Sequence, residues 1–369
     1  MKQVDAIVAG AGVWGCTLAR RLAEAGRRVL VLERRSAVGG NVRCEIDSGT
    51  GIEIHTYGSH IFHTHDETVW NFVRRFVSFN GYQHKVLANY RGKTYFLPLG
   101  LTLVNKFFGT ELRPSEVEGF LCEPGRSEAI FDAFFRGYTS KQWGRAPEAI
   151  DPSIIRRVPV RTSYDVNYFN DCNQGIPSEG YNALFDRLLD HPSISVECGS
   201  AWSLVGGADV PGGVGRLDCP VYYSGPLDEL FGYRYGALPW RSLRFETERV
   251  PVRDWQGTSV VNYTEASVPY TRIHEFKHYH PEGRGRTGAQ GWGFDADETI
   301  ICREYPEAWK MGGEPYYPIV SPESAVQVEK YREAAAKVSG LVLGGRLGAY
   351  RYYDMDQAMA AALAVELPG

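Results

Sequence analysis

Three features are scarce or missing in this 369-residue sequence, and each absence excludes a class of protein. No run of 18 apolar residues occurs, which argues against a membrane-spanning helix. The seven cysteines are scattered without a CxxC pair, which argues against a zinc ribbon or a disulfide framework. The formal net charge is −4, so the chain lacks the basic surface that nonspecific nucleic-acid binding requires. We therefore expect a cytoplasmic protein without nucleic-acid or membrane partners.

Lysine is also scarce: it supplies only 9 of the 40 basic residues, and the other 31 are arginines. Arginine binds phosphate through a bidentate fork, so a small anionic ligand remains compatible with the negative net charge. The length predicts more than one domain, and 13% aromatic residues suit either a large core or stacking surfaces.

Residues 4–33 have the pattern of a βαβ unit that binds a dinucleotide. A buried strand is predicted over 4–9, a helix over 13–26 and a second strand over 29–32. The GxGxxG sequence Gly10–Gly15 lies between the first strand and the helix, which is the context that this motif requires. Its glycines permit a tight turn and let a pyrophosphate approach the helix N-terminus.

The residues that follow favour FAD over NAD. Glu33 ends the second strand, where it can accept hydrogen bonds from ribose hydroxyls. Arg34 and the glycine pair of Gly39-Gly40-Asn41 continue in a way that resembles the extended fingerprint of FAD-binding flavoproteins. Near the other end of the chain, Gly344-Gly345-Arg346 followed by Asp354 resembles the C-terminal flavin-contacting segment of the same proteins.

This arrangement predicts an α/β fold in which both chain ends build one FAD-binding Rossmann-like domain. A helical domain and an antiparallel β-sheet domain are inserted between the ends. The predicted boundaries are 1–65, 190–240 and 320–369 for the FAD domain, 66–150 for the helical domain with the nucleotide pocket, and 151–189 and 241–319 for the substrate-binding sheet domain.

Eight sequence blocks, spread over nearly the whole chain, resemble those of the UDP-galactopyranose mutase family and occur in its order. They are YGSHIFHT (57–64), GYTSKQWG (137–144), RRVPVR (156–161), NYFND (167–171), YYSGPLDELFGYRYG (222–236), VNYTEASVPYTRIHE (261–275), EPYYPI (314–319) and GGRLGAYRYYDMD (344–356).

The resemblance implies an isomerase that interconverts the pyranose and furanose forms of a nucleotide-diphosphate sugar, in the first place UDP-galactose. It implies FAD that is active only when reduced. The flavin attacks the anomeric carbon and displaces the diphosphate, and a flavin–sugar iminium opens the ring before another hydroxyl recloses it. No net redox change results.

The resemblance also implies roles for individual residues. The implied catalytic group consists of Arg157, Arg272, Arg346 and His60. Arg157 would lie on a loop that closes over the diphosphate, and His60 would lie beside the flavin ring. Substrate contacts are implied for Tyr138, Phe134, Phe135 and Gln142 around the base, Trp143 near the closing loop, Tyr168, Tyr317 and Tyr352 at the diphosphate, and Asn262 at the sugar. Cofactor contacts are expected from Gly10, Gly12, Val13, Trp14, Gly15, Glu33, Arg34, Gly39, Gly40, Asn41, Gly58, His60, Arg346, Asp354 and Met355.

Three departures from the family pattern keep alternatives open. Ser59 stands where a proline is expected and would loosen the loop that orients His60. The helical region over 109–134 is short, which bears on a possible homodimer, and residues 282–298 look like an insertion. A mutase for a GDP- or TDP-linked sugar is therefore one alternative, and an FAD oxidoreductase of the amine-oxidase type is another. A metal bound by His60, His63 and His65 is conceivable but not expected, because no acidic or thiol cluster accompanies them in sequence.

Overall fold

The computed structural model of the chain describes residues 4–144, 161–204, 216–281, 292–293 and 296–367. Its helices in chain order are α1 Val13–Glu24, α2 Glu67–Val73, α3 Leu101–Phe108, α4 Pro114–Cys122, α5 Arg126–Phe131, α6 Gly137–Trp143, α7 Tyr181–Leu189, α8 Leu227–Leu230, α9 Pro322–Ala336, α10 Gly345–Gly348 and α11 Met355–Leu363. Its strands are β1 Ala6–Ala9, β2 Val29–Glu33, β3 Cys44–Ile46, β4 Glu53–His55, β5 Phe62–Thr64, β6 Val86–Tyr90, β7 Lys93–Leu97, β8 Asn173–Gly175, β9 Ile194–Cys198, β10 Arg216–Tyr223, β11 Trp240–Val250, β12 Val260–Tyr263, β13 Arg272–Glu275, β14 Thr299–Ala308, β15 Tyr317–Pro318 and β16 Ser339–Leu343.

One sheet is entirely parallel and has the strand order β16-β10-β1-β2-β9. The predicted βαβ unit forms its centre, with Ala6 opposite Val29 and Ala9 opposite Leu32. The Rossmann-like α/β fold expected from the sequence is therefore confirmed. All five strands fall in the sequence ranges assigned to the FAD domain, although the boundaries themselves stay a prediction.

Helix α1 packs the glycine turn onto this sheet because its apolar residues recur at helical spacing. Leu18 and Leu22 are fully buried, and the helix stops before Gly26, whose φ of +82° suits glycine. Arg21 ties α1 to the last helix by donating to the carbonyls of Ala362 and Val365 at 2.7 and 3.0 Å. None of the helices described is long and apolar enough to cross a membrane.

The second large sheet has seven strands in the order β15-β11-β14-β13-β12-β6-β7. Five of its six pairings are antiparallel, and β12 pairs with β6 in parallel, so the sheet is mixed rather than purely antiparallel. The hairpin β6–β7 lies inside the 66–150 range that was predicted as helical. Its second strand alternates, with Tyr95 and Leu97 buried and Phe96 exposed, and this period of two marks a half-buried strand.

Candidate functional site

An open cleft of about 1150 Å³, solvent-filled mouth included, lies at the carboxyl ends of the parallel strands. Gly10 follows β1, Glu33 ends β2, Ser224 follows β10 and Gly345 follows β16, and all four line the cleft. The carboxyl edge of a parallel sheet is where α/β proteins bind dinucleotides. The cleft therefore joins the two glycine-rich segments that the sequence places at opposite ends of the chain.

The glycine turn has two structural glycines and one that faces open space. Gly10 has a φ of +106°, and a Cβ there would lie 2.3 Å from Ser224 Oγ. A Cβ on Gly15 would lie 1.9 Å from the carbonyl oxygen of Gly10, so this glycine lets α1 pack against the turn. At Gly12 the nearest heavy atom to an added Cβ is Gly40 Cα, at 3.9 Å. The space over Gly12 fits the close approach of a pyrophosphate.

Glu33 holds the turn as well as facing the cleft. Its Oε2 accepts from the Ala11 N–H at 2.8 Å and its Oε1 from the Arg35 N–H at 2.9 Å. A carboxylate has about four acceptor positions, so these bonds leave room for ribose hydroxyls. Arg34 also lines the cleft and forms an ion pair with Glu314.

Most of the predicted cofactor residues line this one cleft. They are Gly10, Gly12, Val13, Trp14, Glu33, Arg34, Gly39, Gly40, Asn41, His60, Arg346, Asp354 and Met355. Gly15 and Gly58 are not among the residues that line it. Sequence reasoning missed the loop after β10, where Ser224, Gly225 and Pro226 line the cleft, and also Trp202. The structure explains this, because β10 lies beside β1 and its carboxyl end opens at the same edge, a pairing that no local pattern signals.

A second group of residues, which we call the arginine–tyrosine cluster, adjoins the cleft and comprises Arg272, Arg346, Tyr138, Tyr317 and Tyr352. Arg346 belongs to both places: it lines the cleft, and its guanidinium lies 5.2 Å from the centres of the Tyr317 and Tyr352 rings. These two rings stack on each other with centres 5.7 Å apart. Two bonds from Arg346 to the Tyr353 carbonyl, at 2.6 and 3.2 Å, orient the guanidinium.

Arg272 reaches the cluster from β13 and donates to the Tyr138 hydroxyl at 2.5 Å. Burial raises the pKa of Tyr138 to about 12 although Arg272 lowers it, so the hydroxyl stays protonated at neutral pH. Burial likewise raises the pKa of Tyr317. The cluster thus combines two fixed positive charges with neutral hydroxyl donors, a set that suits a diphosphate.

Helix α6 is held in place so that Tyr138 meets Arg272. A Cβ on Gly137 would lie 2.4 Å from the Thr264 carbonyl oxygen, so only glycine lets the helix approach the loop after β12 this closely. At the other end of α6, the Lys141 amine donates to three carbonyls of the same region, at 2.7 to 3.0 Å. These anchors are tertiary and have no local sequence signal.

The two phenylalanines predicted at the base have different surroundings. Phe134 is 3% exposed and packs in the core against Tyr90, Tyr95 and Phe107, with ring centres 5.0 to 5.7 Å away, and its role at the base stays a prediction. The apolar spacing on its helix is the signature of a core face. Phe135 is partly buried and stacks on Phe131.

The remaining substrate residues lie around the cluster. The ring centres of Trp143 and Tyr317 are 6.3 Å apart. Tyr168 is close enough to Arg272 for its hydroxyl to interact electrostatically with the guanidinium. Gln142 Oε1 and Asn262 Oδ1 are buried and accept no hydrogen bond from the part of the chain that the structure describes. A buried amide oxygen without a donor is unfavourable, so both atoms fit contacts to a bound polar ligand. Arg157 lies outside the described residues.

His60 lines the cleft as a neutral imidazole with a defined tautomer. Burial, and to a smaller extent the charge of Arg346, lowers its pKa to about 4. Its Nδ1 is 2.7 Å from the Gly58 carbonyl oxygen, which can only accept, so Nδ1 carries the proton. Nε2 therefore has a free lone pair and can accept a proton at neutral pH.

The other two histidines of the segment do not join His60 around a common point. His63 Nδ1 and His65 Nδ1 both approach Asp171, at 2.8 and 3.1 Å. Elsewhere, Cys44, Glu53 and His55 have ligand atoms within 4.8 Å of one another. The Glu53 oxygens already accept from the Tyr181 N–H and pair with His280 Nε2, at 3.2 and 2.9 Å. The absence of a metal cofactor stays a prediction.

The buried histidines predict acid sensitivity, and His84 is a clear case. Burial, and then the charge of Arg272, lowers the pKa of His84 to about 3, whereas an unfolded histidine titrates near 6.5. The stabilisation is complete above pH 6.5 and is lost as the pH falls towards 3, by about 1.4 kcal/mol per pH unit. Between pH 7.5 and 5.5, we expect the Tm of His84→Gln to fall by about 2 °C less than that of the wild type in thermal melts.

The matched control is His65→Gln, because the His65 side chain is 89% exposed. Its melting curves should shift with pH as those of the wild type do. An equal pH response in His84→Gln and the wild type would contradict the prediction.

Comparisons with known proteins agree on one family. A family model described as "UDP-galactopyranose mutase" matches residues 133–352, and a model described as "NAD(P)-binding Rossmann-like domain" matches residues 8–76. The chain is 36% identical to a probable UDP-galactopyranose mutase of Klebsiella pneumoniae, over 98% of this chain and 94% of that protein. It is 35% identical to a dTDP-fucopyranose mutase of Escherichia coli, over 97% of this chain and 96% of that protein.

Solved structures match the fold over the same extent. A crystal structure of reduced UDP-galactopyranose mutase superposes with a TM-score of 0.71 and covers 98% of this chain and 93% of that one, at 15% identity. A structure of an oxidoreductase from Methanosarcina mazei gives a TM-score of 0.58 at 12% identity, with 97% and 99% covered. At these identities the structural matches show the fold alone.

Proposed function

Because the chain belongs to the UDP-galactopyranose mutase family, we propose that it is a flavin-dependent isomerase that interconverts the pyranose and furanose forms of a nucleotide-diphosphate sugar, in the first place UDP-galactose. The observation that carries the proposal is the position of Arg346, which faces both the dinucleotide cleft and the arginine–tyrosine cluster. A substrate diphosphate at the cluster would bring the sugar to the cofactor end of the cleft.

The cleft residues support FAD as the cofactor. The open space over Gly12 and the acceptor oxygens of Glu33 suit a pyrophosphate and a ribose. The lining of the cleft also includes His60, Arg346 and Met355, which would surround the flavin. Reduced FAD in this cleft would supply a nucleophilic ring nitrogen to the sugar without being consumed.

The protein's own residues would promote departure and return of the diphosphate. Arg272 and Arg346 would neutralise the charge that develops on its oxygens, and the Tyr317 and Tyr352 hydroxyls would donate hydrogen bonds to it. Gln142 and Asn262 would present their buried amide oxygens to hydroxyl or N–H donors of the substrate. Arg157, on the segment assigned to a closing loop, would complete the positive environment.

His60 would move or hold a proton next to the reacting sugar. Its Nε2 lone pair would face the sugar, where ring opening and reclosure require a hydroxyl to lose and regain a proton. A neutral imidazole at neutral pH can accept such a proton, and burial together with the charge of Arg346 disfavours the imidazolium form.

The substrate test uses dithionite-reduced protein incubated with UDP-galactofuranose, with chromatography to separate the ring forms. We expect pyranose to form without consumption of reductant, and oxidised protein to show no turnover. Stoichiometric reduction of the flavin by substrate would instead indicate an oxidoreductase of the amine-oxidase type.

A second candidate substrate is a dTDP-linked deoxy sugar, since the Escherichia coli relative is named a dTDP-fucopyranose mutase and is nearly as similar. Running dTDP-fucofuranose and a GDP-linked sugar in the same assay separates the candidates by kcat/KM. A higher value for the UDP-galactose pair supports the main proposal, and a higher value for either alternative replaces it.

A further inference from the structure

Three side chains form a line of hydrogen bonds beside the arginine–tyrosine cluster, and two of them, His274 and Glu304, are buried. Ser59 Oγ lies 2.5 Å from His274 Nδ1, and His274 Nε2 lies 3.2 Å from Glu304 Oε2. Ser59 lies in the turn between β4 and β5, His274 on β13 and Glu304 on β14. We call these residues the Ser59–His274–Glu304 line.

The charges at one end determine where the protons lie. Burial raises the pKa of Glu304, but Arg272 and His274 lower it to about 2, so the carboxylate is ionised and can only accept. His274 Nε2 must therefore carry the proton that faces Glu304. Burial lowers the pKa of His274 although Glu304 raises it, and Arg272 adds to the lowering, so the ring is neutral at pH 7. Its Nδ1 then has a lone pair, and the Ser59 hydroxyl donates to it.

The Glu304 end leads to the diphosphate side of the candidate site. Glu304 Oε1 lies 3.4 Å from Arg272 Nε and accepts from the Thr271 hydroxyl at 3.2 Å. Arg272 in turn donates to the Tyr138 hydroxyl. Because Glu304 is 3% exposed, its charge interacts with Arg272 under little screening by solvent.

The Ser59 end leads to the cofactor side. Gly58, which precedes Ser59, accepts from His60 Nδ1, and the His60 N–H donates to His55 Nδ1 at 3.1 Å. The turn over 58–60 therefore places the His60 ring in the cleft. The hydroxyl of Ser59 bonds this turn to His274 on β13. Ser59 therefore anchors the loop, although serine in place of the family's proline is expected to loosen it.

The residue types are those of a hydrolase triad, but the two ring nitrogens have exchanged partners. In a triad the serine bonds to Nε2 and the carboxylate to Nδ1, whereas here Ser59 bonds to Nδ1 and Glu304 to Nε2 of a completely buried His274. A line paired in this way fixes geometry, because each group restricts the orientation of the next.

We propose that Ser59 and His274 are positioning residues that link the His60 turn at the cofactor side to Arg272 at the diphosphate side. This inference rests on the proposed function, because it assigns the two ends of the line to cofactor and diphosphate. Breaking the Ser59–His274 bond frees the 58–60 turn and leaves His274 Nδ1 without its donor. As a consequence, the His60 ring moves from its place in the cleft while Arg272 keeps its side chain at the diphosphate side.

The test is Ser59→Ala in the FAD-loaded protein, with nitrogen-15 NMR of its histidines as a readout that is independent of turnover. In the wild type, His274 should be neutral at pH 7, protonated at Nε2, with Nδ1 accepting a hydrogen bond. In Ser59→Ala, the Nδ1 resonance should move to the position of a free acceptor. We expect kcat to fall about five- to tenfold, the equivalent of one hydrogen bond, with KM and FAD content nearly unchanged.

Two variants serve as controls. Ser59→Thr keeps a hydroxyl and should restore the wild-type resonance and most of kcat. Ser259→Ala removes a buried serine hydroxyl that bonds to Tyr82, and it should leave both readouts as in the wild type.

The inference is overturned if His274 is charged or protonated at Nδ1 in the wild type, or if Ser59→Ala behaves as Ser259→Ala does. Failure of the proposed function would instead show as absent turnover in the wild type. The histidine resonances would still decide whether the line exists as described.

Discussion

Replacing Arg272 with alanine should lower kcat/KM for the nucleotide sugar by about 10²- to 10³-fold, as loss of one preorganised donor to a developing anionic charge does in other enzymes. The substitution removes a positive charge that would face the leaving diphosphate and deprives the Tyr138 hydroxyl of its donor. It also leaves the Glu304 carboxylate buried without its cation, so that the carboxylate would repel the diphosphate. Steady-state kinetics on the reduced protein measures the effect.

FAD content separates this effect from general damage. Arg272 is not among the residues that line the dinucleotide cleft, so Arg272→Ala should bind FAD as the wild type does. Arg272→Lys keeps the charge but loses the bidentate fork, and we expect its kcat/KM to be about tenfold below that of the wild type.

The matched control for Arg272 is Arg303→Ala. Arg303 is the neighbour of Glu304 on β14, lies on the opposite face of the sheet and pairs with Glu248 at 2.8 Å. This variant should keep nearly full activity. Equal losses in the two alanine variants would place Arg272 outside the mechanism.

Gly12→Ala should weaken FAD binding about 100-fold while the protein still folds. The backbone at Gly12 has a φ of −82°, which any residue adopts, and an added Cβ meets no protein atom nearer than 3.9 Å. The methyl group would occupy the space over the N-terminus of α1, where the pyrophosphate is proposed to approach the backbone. The ratio of flavin to protein absorbance and a fluorescence titration with FAD measure the loss.

Gly119→Ala is the control for this substitution. Gly119 lies inside α4, where an added Cβ meets nothing within 4 Å and alanine favours the helix. It should bind FAD normally, and both variants should melt cooperatively as apoproteins. Wild-type FAD affinity in Gly12→Ala would contradict the proposed pyrophosphate position.

The dinucleotide unit was predictable because its signals are local. The strand over 29–33 differs from the predicted strand by one residue, and α1 ends two residues before the predicted limit at Gly26. Period-two and period-3.6 patterns indicate which face of one element is apolar, and the glycine spacing of GxGxxG predicts the turn that this motif forms. The hairpin β6–β7 escaped prediction because strong helical spacing on either side of it dominated the interpretation of 66–150.

The fold class, the family and the residue types of the candidate site follow from motifs contained within short segments, so they were predictable without a structure. Which of those residues meet was visible in the folded chain alone. The fold brought Arg346, from α10, next to Tyr317, and it placed Phe134 in the core. It also joined Ser59 to His274 and Glu304. The physical reason is that contacts between elements depend on strand register and helix anchoring, which are set by the packing of the whole chain rather than by any local pattern.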